Sequence, residues 1–157
     1  MIDTPKKLSD AAAEHDVVER AEADLREGKS ASTAAGEFVR EEIEHVREGK
    51  HGARSAKQAI AIGLSKARRA GVPLGVPKRG RTSERTRKQA ERETAAGPKR
   101  ERPSAKRSRA TKRALKKEPR SSVSHKALST QAKRAAAKRR RSGTVTAGTA
   151  RKRRRKS

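Results

Sequence analysis

Clusters of lysine and arginine are the features of this 157-residue sequence most able to bind a ligand. Residues 51–157 contain 36 Lys and Arg against 5 Asp and Glu, whereas residues 1–50 contain 8 against 13. A cationic excess this large is typical of proteins that bind polyanions, and nucleic acid is the most common polyanion in cells. Neutralising phosphates releases condensed counterions, so such binding depends strongly on salt. The residues of the second half predicted to make these contacts are Lys78, Arg79, Lys106, Arg107, Lys112, Arg113, Lys138, Arg139, Arg140, Arg141, Arg151, Lys152, Arg153, Arg154, Arg155 and Lys156.

A second group of cations surrounds the start of a predicted helix near residue 55. Ser55 and Gln58 have the spacing of a capping box, and Lys50 and Arg54 come just before it. The free N–H groups and the dipole at a helix N-terminus favour an anion there. These residues predict a phosphate contact, and a plain solvated glycine turn fits them about equally well. The polar face of the same helix adds four more candidate cations, which are Lys57, Lys66, Arg68 and Arg69.

Base-specific recognition is disfavoured by the same residues. The connection before the predicted helix is about six residues long, whereas a helix-turn-helix usually has three or four. The helix also offers no Asn and only Gln58 near its start, and amide side chains commonly read adenine. We therefore expect contacts with phosphates rather than with base edges.

Catalytic and metal-binding motifs are not evident in the sequence. Cysteine is absent, and the four histidines do not have the spacing of metal ligands. The triplet Gly28-Lys29-Ser30 resembles the end of a P-loop, but position 23 is Ala and no strand precedes it. Phe38 is the only aromatic residue, so base-stacking platforms for single strands are missing. The sequence predicts a non-enzymatic protein without a cofactor or a metal.

The supply of large apolar residues limits where a core can form. Only 19 residues are Leu, Ile, Val or Phe, and 15 of them precede residue 80. The prediction is an all-α head of three short helices (residues 1–77) followed by an intrinsically disordered basic tail (residues 78–157). The window 124–141 has enough helix-forming residues to become helical once its charge is neutralised.

The head helices are predicted from apolar periodicity and end signals at about 10–27, 36–48 and 55–70. Residues 29–35 are assigned to a linker of small residues. In the second helix Phe38, Val39, Ile43 and Val46 form the predicted apolar side. Glu41, Glu44 and Glu48 form a predicted acidic, solvated side.

Residues 54–71 resemble the signature of a family of small basic bacterial proteins. The shared block is Ser-x-Lys-Gln-Ala-Ile-Ala-Ile-x-Leu-Ser-x-Ala-Arg, and it is present here from Ser55 to Arg68. Members of that family are labelled uncharacterised, DNA-binding or plasmid stabilisation proteins. The basic tail separately resembles the tails of bacterial histone H1-like proteins in composition. These resemblances imply nucleoid- or plasmid-associated DNA binding without catalysis.

Together these observations predict an architectural protein that neutralises and compacts duplex DNA. It is expected in the cytoplasm, associated with the nucleoid, since no residue run has the length and apolarity of a membrane helix. Two alternatives stay open, namely a ribosome- or RNA-associated protein and an adaptor whose head binds a protein partner. The sequence also leaves open a homodimer formed through the helical head.

Overall fold

The computed structural model describes residues 6–97 and 104–154, with side chains described for residues 14–97 and 104–141. Within these residues the fold is all-helical, with six α-helices and one short 3-10 turn. The helices are α1 (Lys6–Arg26), α2 (Ala31–Arg47), α3 (Ala56–Ala70), α4 (Glu84–Ala96), α5 (Ala105–Lys116) and α6 (His125–Arg154), and the 3-10 turn is Arg120–Val123. No helix in the described part of the chain is long and apolar enough to cross a membrane.

The end signals of α3 act as the sequence predicts. The Ser55 hydroxyl accepts a hydrogen bond from the Gln58 N–H at 3.2 Å, and the Gln58 side chain accepts one from the Arg54 N–H at 2.7 Å. At the other end Gly71 adopts a left-handed conformation with φ of 97°. Because residues with a Cβ rarely adopt that conformation, glycine is suited to end the helix.

α2 begins five residues earlier than predicted, which corrects the assignment of residues 29–35 to a linker. Ser30 caps the helix by accepting a hydrogen bond from the Thr33 N–H at 3.2 Å. Ala34 and Ala35 are fully buried in the first core cluster. Alanine favours helix and fits where two helices lie close together, so the small residues extend α2 instead of interrupting it. α1 likewise begins at Lys6 rather than near residue 10.

Two small apolar clusters hold the helices together. In the first, Val17 and Ala21 of α1 pack against Phe38 of α2 and Ala67 of α3. In the second, Val46, Ala53, Ala59 and Val123 bring together α2, α3 and the 3-10 turn. The packing therefore extends beyond the three predicted helices, since Val123 is fully buried although it belongs to the basic tail.

Residues 115–123 are docked on the turn between α2 and α3. The N–H of Gly52 donates to the Leu115 carbonyl at 2.8 Å, and the N–H of Ala53 donates to the Pro119 carbonyl at 3.4 Å. The Arg47 guanidinium reaches the Val123 carbonyl at 3.4 Å. These contacts tie a segment of the tail to the head.

Helices α4, α5 and α6 lie within residues 78–157, the range predicted as a disordered tail. Serines 83 and 104 cap α4 and α5, and the helices consist mainly of Ala, Lys, Arg and Glu. α4 also packs on α3 through Ala90 and Glu93, which are buried. Local propensity and capping thus form helices where apolar content alone predicts none.

Gly63 marks the closest approach of α3 to α2, and Gly63→Ala should destabilise the protein. A Cβ at Gly63 would lie 2.6 Å from the Val39 Cα, so the two helix backbones would have to separate. We expect a loss of about 1–3 kcal/mol in the free energy of unfolding. Gly36→Ala is the matched control, because Gly36 is an exposed position of α2 where an added Cβ would meet no atom within 4 Å.

Urea denaturation of both variants measures the difference. Gly36→Ala should stabilise by about 0.5–1 kcal/mol, which is the usual gain of Ala over Gly inside a helix. Equal stability changes for the two variants would contradict the close approach of α2 and α3.

Gly52→Ala should release the docked segment, because a Cβ at Gly52 would collide with the Glu118 carbonyl oxygen. We expect hydrogen exchange of the Ala53 and Ser124 amides to become at least about tenfold faster, equivalent to about 1.4 kcal/mol. Gly75→Ala provides the control, since an added Cβ there would meet nothing within 4 Å. Unchanged protection in Gly52→Ala would show that residues 115–123 are not held at this site.

Candidate nucleic-acid interface

The two cations predicted to clamp a phosphate before α3 differ in exposure. The Lys50 ammonium lies 3.4 Å from the Glu48 carboxylate, and the Lys50 side chain is only 25% exposed. The Arg54 side chain is 79% exposed, with its Nε 3.7 Å from the Glu118 carboxylate. Arg54 is therefore placed to reach a ligand in solution, whereas Lys50 is engaged within the head.

The four predicted cations of α3 are similarly divided. Lys57 and Arg69 are exposed, and the Arg69 Nε donates to the Ser65 carbonyl at 3.3 Å. Arg68 is half-buried. Lys66 points inward, with its ammonium 3.0 Å from Glu42 and 3.7 Å from Glu41. The charge of Lys66 is thus neutralised inside the protein.

An open groove of about 430 Å³ lies between the N-terminal ends of α3 and α6. Ser55 caps α3, and the Ser124 hydroxyl accepts a hydrogen bond from the Ala127 N–H at 3.3 Å at the start of α6. Helix N-termini carry partial positive charge, so two of them at one groove favour an anion. Four cationic side chains line the same groove, which are Arg54, Lys57, Lys126 and Arg134.

Residues 104–141 form a strongly cationic, exposed surface. This range contains fifteen Lys and Arg and one acidic residue, Glu118. Every one of the fifteen cations is exposed, and α5 buries none of its residues. The predicted site residues on this surface are Lys106, Arg107, Lys112, Arg113, Lys138, Arg139, Arg140 and Arg141.

The remaining predicted tail cations lie at the two ends of the tail. Lys78 and Arg79 are exposed in the loop that precedes α4. Arg151, Lys152, Arg153 and Arg154 belong to the end of α6, where side chains are not described. Arg155 and Lys156 lie outside the described residues.

A cluster of buried ionisable residues joins the end of α2, the turn that follows and α3, and the sequence alone does not predict it. Glu42 is completely buried, while Glu41 and His45 are 6% and 9% exposed. The His51 Nε2 lies 3.2 Å from one Glu42 oxygen, and the Lys66 ammonium lies 3.0 Å from the other. The prediction that Glu41 belongs to a solvated acidic side is wrong for this reason.

The environment of this cluster shifts the pKa values of its members in different directions. The Glu42 carboxylate raises the pKa of His51 above its ordinary value, although burial opposes this. Burial favours a raised pKa for Glu42, but the contacts with His51 and Lys66 prevail and lower the pKa. Burial lowers the pKa of His45, and Lys66 adds to this effect. Burial also raises the pKa of Glu41.

The helical spacing of α2 contains the signal that could have revealed this cluster. Counting from Phe38, positions 41, 42, 45 and 46 follow at i+3, i+4, i+7 and i+8, which is one face of a helix. Phe38 and Val46 on this face are predicted core residues, whereas the three polar residues between them are not. Lys126 and Arg134 are also absent from the predicted site, because their role depends on where α6 lies relative to α3.

Comparison with known proteins locates a shared segment without assigning an activity. A family described as of unknown function (DUF6496) matches residues 26–80, roughly a third of the chain. The matched segment contains α2, α3, the turn between them and the buried cluster. Searches of curated proteins and of solved structures found no match.

Neutralising cations in the groove should weaken nucleic-acid binding more than the same loss of charge elsewhere. We expect Lys57→Gln combined with Lys126→Gln to reduce affinity for duplex DNA about tenfold at moderate salt. The slope of log affinity against log salt should fall by about 1.8, or 0.9 for each phosphate contact. Fluorescence anisotropy over a salt series measures both quantities.

Arg26→Gln combined with Arg40→Gln is the control, because it removes the same charge from the acidic part of the head. This control pair should change the salt slope by much less. An equal effect of the two pairs would show that net charge alone, and not the groove, governs binding.

Proposed function

We propose that this protein is a non-enzymatic, architectural DNA-binding protein that neutralises duplex DNA through phosphate contacts. The observation that carries the proposal is the surface of residues 104–141, which contains fifteen exposed cations and one acidic residue. Like charges at this density repel each other, so the surface is favourable mainly when a polyanion covers it. Phosphate contacts of this kind need no fixed geometry, which fits binding without sequence preference.

The distribution of charge supports different roles for the helical head and the basic tail. Residues 1–50 are net acidic and provide α1 and α2, which hold most of the first apolar cluster. α5 has no buried residue, so its sequence is free to serve ligand binding instead of packing. The proposal assigns folding mainly to the helical head and polyanion binding mainly to the basic tail and the groove.

Helix formation in the tail should be coupled to charge neutralisation. In α5 the pairs Arg109–Arg113 and Lys112–Lys116 place like charges four residues apart. Each such pair destabilises an isolated helix by about 0.2–0.5 kcal/mol. α5 makes few stabilising contacts to offset this repulsion, so its helix content in solution should rise when phosphates screen the cations.

A duplex is favoured over single-stranded nucleic acid on the basis of residue type. Single-strand readers stack bases on aromatic side chains, and Phe38, the only aromatic residue, is 5% exposed in the core. A basic surface without such platforms is suited to a regular phosphate backbone. Association with the nucleoid is the corresponding expectation for localisation.

The test compares the full chain with a variant in which Lys106, Arg107, Lys112 and Arg113 are changed to Gln. We expect the salt slope for a short duplex to fall by about 3 to 4, while the melting temperature stays unchanged because these side chains are exposed. Circular dichroism of the wild type should show a gain in helix on adding the duplex, and the variant should show a smaller gain.

Competition by structured RNA at matched salt distinguishes the RNA-associated alternative. Displacement of the duplex by a much lower concentration of RNA nucleotides would replace the proposed function. A full-length protein that binds neither nucleic acid at about 150 mM salt would overturn it.

A further inference from the structure

The buried cluster at the end of α2 and in the turn that follows contains groups suited to hold a metal ion. Glu42 and His45 are three residues apart on one face of α2, and His51 lies in the turn that follows. One donor atom from each of these residues lies within 4.8 Å of the others. Two imidazoles and a carboxylate are the donor set that zinc and neighbouring transition metals prefer, whereas Mg²⁺ and Ca²⁺ prefer oxygen ligands alone.

We propose that Glu42, His45 and His51 bind one divalent transition-metal ion, for which Zn²⁺ is the probe. The site is independent of nucleic-acid binding and uses none of the exposed cations. Its role is to link the end of α2 to the turn that leads into α3.

The two oxygens of Glu42 face different partners, which gives the ion a defined place. Oε2 lies 3.0 Å from the Lys66 ammonium, and Oε1 lies 3.2 Å from the His51 Nε2. A metal bound at Oε1, on the histidine side, leaves the ion pair with Lys66 in place. Lys66 then offsets one carboxylate charge, and Glu41 supplies a second negative charge beside His45, at 3.8 Å from its Nε2.

The carboxylates of the cluster have charged neighbours but no hydrogen bond of good geometry, which favours a further ligand. Glu42 is completely buried and Glu41 is 6% exposed. Both Glu42 oxygens and the Oε1 of Glu41 lack a hydrogen bond of acceptable geometry, although cationic groups lie nearby. Buried polar atoms without such bonds are uncommon in native proteins, and a bound ion is one of the ways to satisfy them.

The hydrogen bond made by the other ring nitrogen of His51 fits the role of a metal ligand. The Nδ1 lies 3.0 Å from the Gly52 carbonyl oxygen, and because a carbonyl can only accept, Nδ1 is the donor. In the neutral ring the Nε2 lone pair is then available, so a metal would replace the hydrogen that the charged ring carries there. Histidines that bind metals commonly donate their other ring nitrogen to a carbonyl or carboxylate in this way. The rings of His45 and His51 are nearly perpendicular, with centroids 6.3 Å apart.

The donor atoms need to move closer together when an ion binds. Bonds of about 2.0–2.1 Å in a tetrahedral zinc site place the ligand atoms roughly 3.3 Å apart. His51 is the member best placed to make this adjustment, because it lies outside the helices and its side chain is 19% exposed, whereas Glu42 is completely buried and the His45 side chain is 11% exposed. The same exposed edge gives the ion a way into the buried site.

The experiment titrates the full chain with Zn²⁺ by calorimetry in the absence of nucleic acid. We expect one ion per chain at a saturable site and a melting temperature that rises with metal concentration. Co²⁺ in place of Zn²⁺ should produce visible absorption bands of a low-symmetry, nitrogen-ligated site. His45→Gln combined with His51→Gln should weaken Zn²⁺ binding roughly 100-fold or more. Changing a residue that only supports a metal ligand weakens metal binding by about 10- to 100-fold, so a larger loss indicates that the ligands themselves were removed.

Two single substitutions serve as controls. His125→Gln removes an exposed histidine at the start of α6 and should leave binding unchanged. His15→Gln tests the exposed group of His15, Asp16 and Glu19, whose donor atoms also lie close together. Circular dichroism establishes that each variant folds.

The proposal is overturned by any of three results. These are the absence of saturable binding by the wild type, equal affinity in the His45 and His51 double variant, and loss of binding in His15→Gln alone. Failure of metal binding would leave the DNA-binding proposal unaffected, because the salt slopes measured for the groove and α5 variants do not involve this site.

Discussion

The buried carboxylate of Glu42 is the interaction on which the arrangement of the head depends. It belongs to α2, and its two partners come from the following turn and from α3. Removing one partner of a buried ion pair commonly costs about 3–5 kcal/mol, since the remaining charge stays desolvated. In a protein with few large apolar residues, this network adds polar contacts between α2, the turn and α3 to those of the apolar clusters.

Small residues make this network possible by letting the helices approach closely. Gly63 lies against the backbone of α2 near Val39, and Ala34, Ala59 and Ala67 are completely buried. A core of Ala and Gly gives little apolar burial per residue, and its advantage is close packing. Two α2 carboxylates can therefore reach the Lys66 ammonium of α3.

The same shortage of apolar residues explains how the basic tail relates to the head. Only one buried side chain, Val123, anchors the described part of the tail beyond α4, together with backbone hydrogen bonds at Gly52 and Ala53. This anchor brings the start of α6 beside the start of α3 and so forms the cationic groove. The rest of α5 and α6 stays largely exposed over the residues whose side chains are described, which leaves their cations accessible to a polyanion.

The sequence by itself determined the helical class, the caps and end of α3 and the concentration of positive charge, because these follow from local spacing and composition. It did not determine that Glu41 is buried, that Lys66 pairs with the carboxylates of α2, that α2 starts at Ala31, or that residues 115–123 dock on Gly52. Only the tertiary structure decided these points. Glu41 can be buried because its cationic partner, Lys66, comes from another helix. The weakly apolar residues 115–123 are held because Val123 is buried and the N–H groups of Gly52 and Ala53 donate hydrogen bonds to their carbonyls.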